Sequence, residues 1–323
     1  MTSRALITTP FNADSTADDV VRGTDLSGVR AIVTGASSGL GVETARVLTA
    51  AGAEVTLAVR NTDAGNTVAE EIGRSTGAPR PQVVQLDLAD RRSVADFIDA
   101  WDGPLHLLIN NAGIVTSGLE RTVEGWELQF ATNHLGHFRL AIGLHDALAS
   151  GATERGGARI VSLSSTAHMR AGVDFDDLQF ERRAYDPQIA YAQSKTANSL
   201  FSVEATRRWQ PDRIVTNTVN PGGIATGLQR NFSATQKASL EAAEAAGLFK
   251  YKTVEQGAAT SLVAAVAPEF ADTGGHYLDD CREAYTVPND ADLAQNPHGV
   301  KEWALDTEIA KRLWQVSFAL VTN

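Results

Sequence analysis

Tyr191 and Lys195 stand four residues apart in YAQSK, a spacing that brings two side chains to one face of a helix. Such a pair could move a proton. A free phenol titrates near pH 10, too high for a base at neutral pH. A neighbouring ammonium favours the phenolate, and a drop of roughly 2–3 units would bring it into a working range. The tyrosine would then protonate a carbonyl oxygen as hydride reaches the carbon, or deprotonate an alcohol in reverse. The same two residue types also serve as an anchor beside a solvated charge, so the rest of the chain decides.

Three further clusters bear on that decision. SLSST (162–166) follows an apolar run, and a hydroxyl from Ser164 or Ser165 could stabilise a developing alkoxide. Asn133 in ATNHLGHF falls within a helix expected over 124–148, where a buried asparagine can loosen backbone bonding and hold water. His134 and His137 invite a metal reading, but catalytic zinc takes three protein ligands and an open position. No third ligand follows at helical or hairpin spacing, so packing is the expected role and no metal site is expected.

TGASSGLG (34–41) follows a β-branched run and opens a helical pattern. Its glycines, Gly35, Gly39 and Gly41, allow positive φ and close backbone approach. The free N–H groups and dipole of the following helix can hold a pyrophosphate. An acid ending the second strand would mark NAD; here Val59 stands in that place and Arg60 follows, so NADP (NADPH) is favoured over NAD. Asp87, expected to end the third strand, could accept from an adenine amino group or cap the next helix.

The elements that must position these residues alternate. Strands are expected at 30–34, 53–59, 82–88, 105–110, 158–164 and 213–219, with helices between them, including one over 189–208. The strands are apolar runs rather than strict alternations, the mark of a parallel sheet covered on both faces. The fold class is α/β, a doubly wound parallel sheet of Rossmann type. Residues 1–27 read as an N-terminal extension with a helix start near STADDV, and 28–323 as a single catalytic domain. An amphipathic insert at about 227–252 is expected to cover the substrate, with Leu228, Phe232, Leu240, Leu248 and Phe249 as apolar lining.

The 323 residues carry a net charge of -11, with 43% hydrophobic and 21% charged residues. That surface disfavours nucleic acid and anionic membranes as partners. A single cysteine, Cys281, excludes an internal disulfide and fits a reducing, cytoplasmic setting. No leader pattern or membrane anchor is read from the sequence.

TGASSGLG, NNAG (110–113), YAQSK and NPGGIAT (220–226) occur in the order found in the short-chain dehydrogenase/reductase family, which the chain resembles. FATNHLGHFRL, SLSSTAH, DFDDLQFERRAYDPQIAYAQSKTANSLF, GGHYLDDC and AKRLWQVS resemble its retinol-dehydrogenase-like branch, which includes the WW-domain oxidoreductase. The 26 positions from Ser165 to Tyr191 fit an insert carried by that branch. The resemblance implies Asn133, Ser165, Tyr191 and Lys195 as the catalytic set, Asn133 holding a water linked to Lys195. It implies a cofactor site of Gly35, Ser37, Ser38, Gly39, Leu40, Gly41, Arg60, Asp87 and Leu88, continued by Asn111, Ala112, Gly113, Tyr191, Lys195, Pro221, Gly222, Ile224 and Thr226. The helices over 124–148 and 189–208 are common dimer faces in the family, so a homodimer or homotetramer is an open expectation.

The expected activity is reversible, metal-free reduction of a lipophilic or aromatic aldehyde or ketone by NADPH, with a small-molecule carbonyl or alcohol as substrate. Two alternatives are an NAD(P)-dependent epimerase or dehydratase, and a non-catalytic NADP-binding sensor or scaffold.

Overall fold

The computed structural model describes residues 4–224, 238, 242, 244 and 250–322. Thr226 and the five apolar insert residues named above lie outside the described residues.

The first strand, β1 (Arg30–Thr34), runs through the middle of the sheet. After it come α2 (Leu40–Ala50), β2 (Glu54–Val59), α3 (Thr62–Thr76) and β3 (Gln82–Gln85), each strand added outward on one side. The chain then returns through α4 (Arg91–Ala100) to β4 (Leu107–Asn110) on the other side of β1. Next come β5 (Ala158–Leu163), β6 (Ile214–Asn220) and β7 (Tyr277–Asp279), all parallel, and a short antiparallel β8 (Arg282–Glu283). The order is β3-β2-β1-β4-β5-β6-β7-β8. The winding reverses between β1 and β4, the place where an open α/β sheet leaves a crevice for a ligand.

The apolar runs are unbroken because alternate residues serve two cores. Ala31 and Val33 of β1, with Leu107 and Ile109 of β4, face one layer: α2, α3, α9 (Val254–Val266) and the short α1 (Ala17–Val21). Ile32 and Leu108 face the other, with Phe130, Phe138, Leu140 and Phe201. Helix α1 starts at Thr16, whose side chain and that of Asp19 form a capping box. Its Ala17, Val20 and Val21 are buried in the first core, so the extension is not merely polar.

The helix expected over 124–148 is three pieces. Residues 121–127 form a turn bridged at Arg121 and Glu127, and the buried Glu127 carboxylate then caps α5 (Leu128–Phe130). A π-helical stretch (Ala131–Leu135) leads into α6 (Gly136–Gly143), with Gly136 N–H bonding Ala131 O. Leu144 (φ -94°, ψ 8°) leaves helical geometry before α7 (His145–Arg155). The third strand also stops early, at Gln85, leaving Asp87 in the loop beyond it.

Helix α8 (Pro187–Trp209) begins sharply. Asp186 accepts from the N–H groups of Gln188 and Ile189, and Pro187 supplies a first-turn residue with no N–H to satisfy. This fixes the start one turn before Tyr191. The helix is buried on nearly all sides, packed on β5 and β6 and covered outside by α10 (Thr307–Thr322). A two-stranded parallel ribbon, β9 (Tyr285–Val287) and β10 (Gly299–Lys301), sits beside it.

Gly136 shows how tightly the helical layer meets the loop after β3. A Cβ there would lie 2.7 Å from Leu88 Cβ and 2.9 Å from Leu88 C. Helix propensity alone favours Ala over Gly by about 1 kcal/mol. Here Gly136→Ala is expected to destabilise by about 1–3 kcal/mol through overpacking, read as a lower urea midpoint with an unchanged slope.

Candidate active site

A cavity of about 420 Å³ opens at the carboxyl ends of β1, β2, β4 and β5. Its floor is the turn after β1. Gly35 has φ +67° and packs so closely on the NNAG turn that a Cβ would come within 2.8 Å of Ala112 Cα. Gly39 (φ 60°, ψ -136°) heads α2 with no side-chain cap, so the first N–H groups of that helix are left for a ligand. Ser37, Ser38 and Leu40 complete this wall, and Asn111, Ala112 and Gly113 the facing one.

Arg60 lines the mouth; it is exposed and forms no ion pair among the described residues. Asp87 and Leu88 line the same end. One Asp87 oxygen accepts from Ala89 N–H at 3.0 Å, while the cap of α4 is Asp90. Pro221 lines the far end. Gly41, Gly222 and Ile224 stand outside the wall. A Cβ on Gly41 would meet Asn111 Nδ2 at 2.6 Å, Gly222 (φ +87°) passes beside Lys252, and Ile224 packs on Gly257. They shape the turns rather than the surface.

Tyr191 and Lys195 share the opposite end of the cavity. The Ser165 side chain acts on the Tyr191 hydroxyl and lowers its pKa, against the larger effect of burial. Ser164 is placed differently: its hydroxyl donates to Lys195 O at 2.8 Å, so the second serine, not the first, meets the phenol. Ser165 also accepts from Ala167 N–H, capping the short 3-10 turn Thr166–Arg170.

Lys195 is 4% exposed, and its ammonium donates to Leu163 O at 2.9 Å. Burial pushes its pKa down to about 8. Tyr191 goes the other way, up to about 12 by burial, opposed by the Ser165 hydrogen bond. Burial, rather than the lysine, sets the direction of the Tyr191 shift. The ammonium lies 5.5 Å from the phenol ring centroid and spends its hydrogen bond on a carbonyl. Desolvation outweighs that indirect attraction.

Asn133 is fully buried in the π-helical stretch. Its side chain accepts from Ile114 N–H at 2.8 Å and donates to Ile114 O and Ser194 Oγ. Gly113 passes between it and the lysine, since a Cβ there would lie 3.5 Å from both Asn133 Oδ1 and Lys195 Nζ. The two histidines have separate partners. His134 Nε2 meets Ser317 Oγ at 2.8 Å. His137 Nδ1–H donates to Asn133 O at 3.0 Å, and its Nε2 accepts from Thr34 Oγ1 at 2.8 Å. Thr34 Oγ1 in turn accepts the N–H groups of Asn111 and Ala112, so His137 supports the NNAG turn. Burial holds this imidazole neutral, near pKa 4.

Sequence reasoning missed several wall residues: Ala58, Asn61, Ile114, Val115 and Thr132. The Thr132 hydroxyl is buried without a hydrogen-bond partner and lines the cavity. Its place directly before Asn133 was the available signal. An uncapped helix start, close-packed glycine turns and this orphan hydroxyl together fit a dinucleotide.

A doubly wound sheet with such a crevice, and a tyrosine–lysine pair at its end, defines an oxidoreductase that uses a nicotinamide dinucleotide. The family model described as short chain dehydrogenase matches residues 30–237. A "Probable oxidoreductase" of Streptomyces antibioticus is 47% identical over 90% of this chain and 97% of its own length. Human "Retinol dehydrogenase 11" is 36% identical over 92% of this chain and 86% of its own. A crystal structure of a putative uncharacterized protein from Mycobacterium paratuberculosis superposes with TM-score 0.70 at 31% identity, covering 94% of this chain and 97% of that one. The Pseudomonas aeruginosa RhlG/NADP complex superposes with TM-score 0.63 at 25% identity, over 79% and 95%. The chain belongs to the short-chain dehydrogenase/reductase family, in its retinol-dehydrogenase-like branch, and is an NAD(P)-dependent oxidoreductase acting on a small-molecule substrate. No helix among the described residues is long and apolar enough to cross a membrane.

The buried ammonium carries a stability cost. With a folded pKa near 8 against 10.5 for a lysine in water, the unfolded chain binds more protons between those values, so this contribution to stability rises with pH there. Below pH 8 the full penalty applies, on the order of 3 kcal/mol. Leu163 O also accepts from Asn198 Nδ2 at 2.9 Å and stays satisfied without the lysine. Lys195→Met is expected to stabilise the cofactor-free chain at pH 7, with the gain shrinking toward pH 10. Urea unfolding at the two pH values measures it.

Proposed function

We propose that the chain reversibly reduces a lipophilic or aromatic aldehyde or ketone with NADPH. Tyr191 is the general acid and base, Ser165 orients the carbonyl oxygen, and Lys195 with Asn133 provides the proton route. The observation that carries this reading is one cavity with an uncapped helix start at one end and Tyr191 with Lys195 at the other.

The bound dinucleotide supplies the hydride. The turn from Gly35 to Gly41 receives its pyrophosphate on the N–H groups of α2. Asp87, Leu88 and the NNAG turn would hold the adenosine side, while Pro221 would flank the nicotinamide. Arg60, unpaired at the mouth among the described residues, would take the ribose 2′-phosphate, which supports NADPH over NADH. The RhlG neighbour is described with NADP, and human retinol dehydrogenase 11 is named for a lipophilic alcohol.

At neutral pH Tyr191 carries its proton, the form that reduction needs. It donates to the substrate oxygen while Ser165 holds the developing alkoxide. Lys195 remains mostly cationic below about pH 8 and stabilises the resulting phenolate until a proton returns. Alcohol oxidation needs the phenolate first, so its rate is expected to rise with pH where reduction does not.

Tyr191→Phe is expected to lower kcat at least about 100-fold, the usual scale of general acid catalysis, while NADPH binding persists. NADPH oxidation with a panel of aldehydes and ketones measures this, and equal turnover in both proteins would refute the assignment. Arg60→Glu is expected to raise KM for NADPH at least about tenfold and leave NADH less affected, by removing a charge-assisted pair and adding repulsion. Parallel KM determinations with both cofactors test it.

A further inference from the structure

His168 and Tyr277 lie outside the cavity wall, yet they are 0% and 1% exposed and stack with ring centroids 4.7 Å apart. Together they connect the C-terminal ribbon to the strand end bearing the serines. Lys301 N–H on β10 donates to His168 Nε2 at 3.3 Å, which leaves the imidazole proton on Nδ1. That Nδ1–H donates to Ser165 O at 2.8 Å and is shared with the Tyr277 hydroxyl at 3.1 Å. Ser164, next to Ser165 on the same strand end, donates to Lys195 O at 2.8 Å.

We propose that His168 and Tyr277 are positioning residues for hydride transfer. His168 fixes the carbonyl of Ser165, and Tyr277 fixes the imidazole by ring stacking at 4.7 Å and a hydroxyl contact at 3.1 Å. The Ser165 hydroxyl is thereby held toward Tyr191 from behind the cavity. Tyr277 and Lys301 lie beyond residues 30–237, the part matched by the family model, so the C-terminal segment of this chain sets the geometry of the central site. Burial keeps the imidazole neutral, near pKa 4, so its bonds keep their direction across the neutral range. The inference rests on Tyr191 and Ser165 being the reacting pair.

Tyr277→Phe removes one hydroxyl and keeps the ring. Its kcat for carbonyl reduction is expected to fall roughly three- to tenfold, the scale of one hydrogen bond, with KM for NADPH unchanged. The alkaline limb of alcohol oxidation is expected to move to higher pH, because the Ser165 bond that lowers the Tyr191 pKa is weakened. In a Ser165→Ala background the same change should have little further effect, since both act through one bond. His168→Asn, whose amide can donate from the Nδ1 position, should keep more activity than His168→Leu. This pair decides the matter alone if Tyr277→Phe does not fold. Unchanged kcat in Tyr277→Phe, additivity with Ser165→Ala, or equal losses in the two His168 variants overturns the proposal while Tyr191→Phe remains inactive. Full activity in Tyr191→Phe instead removes the reading of the site, and this inference with it.

Discussion

An ammonium buried as deeply as that of Lys195 must be satisfied by fixed protein dipoles, and in this chain the carbonyl that meets it ends β5. That single bond ties the middle of α8 to the catalytic end of the sheet. Asn198, one turn on, donates to the same carbonyl and removes the remaining freedom of the helix to slide. Ser164 returns a bond from the strand end to Lys195 O. The placement of Tyr191, one turn earlier on the same helix, follows from these three contacts together with the Asp186–Pro187 start. The energetic penalty of burying the cation is the counterpart of a site whose polar groups cannot relax toward water.

Much of the sheet was legible because periodicity reports burial. The inner strands of the central sheet had to bury both faces, and an unbroken run such as AIVT or LLIN does that. The glycine turn, NNAG and the helical pair were legible because the chemistry constrains residue type and spacing together. The third strand was read too long because VVQLDL stays apolar in the loop beyond Gln85, where Leu86 and Leu88 are buried by tertiary contacts rather than by pairing at both edges.

Other features depend on contacts remote in sequence. The long helix over 124–148 is interrupted where Glu127 caps α5 and holds Tyr185 Oη at 2.8 Å, a partner 58 positions away. The pKa of Tyr191 turns on how completely its surroundings exclude water, and helical spacing cannot report that. His137 looked like packing, and it is packed, but its hydrogen bonds to Thr34 and Asn133 also brace the turn opposite the glycine loop. Neither partner was visible from a pair of histidines three residues apart.

The helix Thr307–Thr322 covers the outer side of α8. In this chain that side is an internal boundary already closed by its own C-terminal segment, with Trp314 stacked on Phe201 and edge-on to Trp209. A neighbouring subunit approaching there would meet the outward surface of the last helix, where Phe318 is 48% exposed, before it reached α8. Shortening the chain at that end would bare the aromatic layer of Phe201, Trp209 and Trp314.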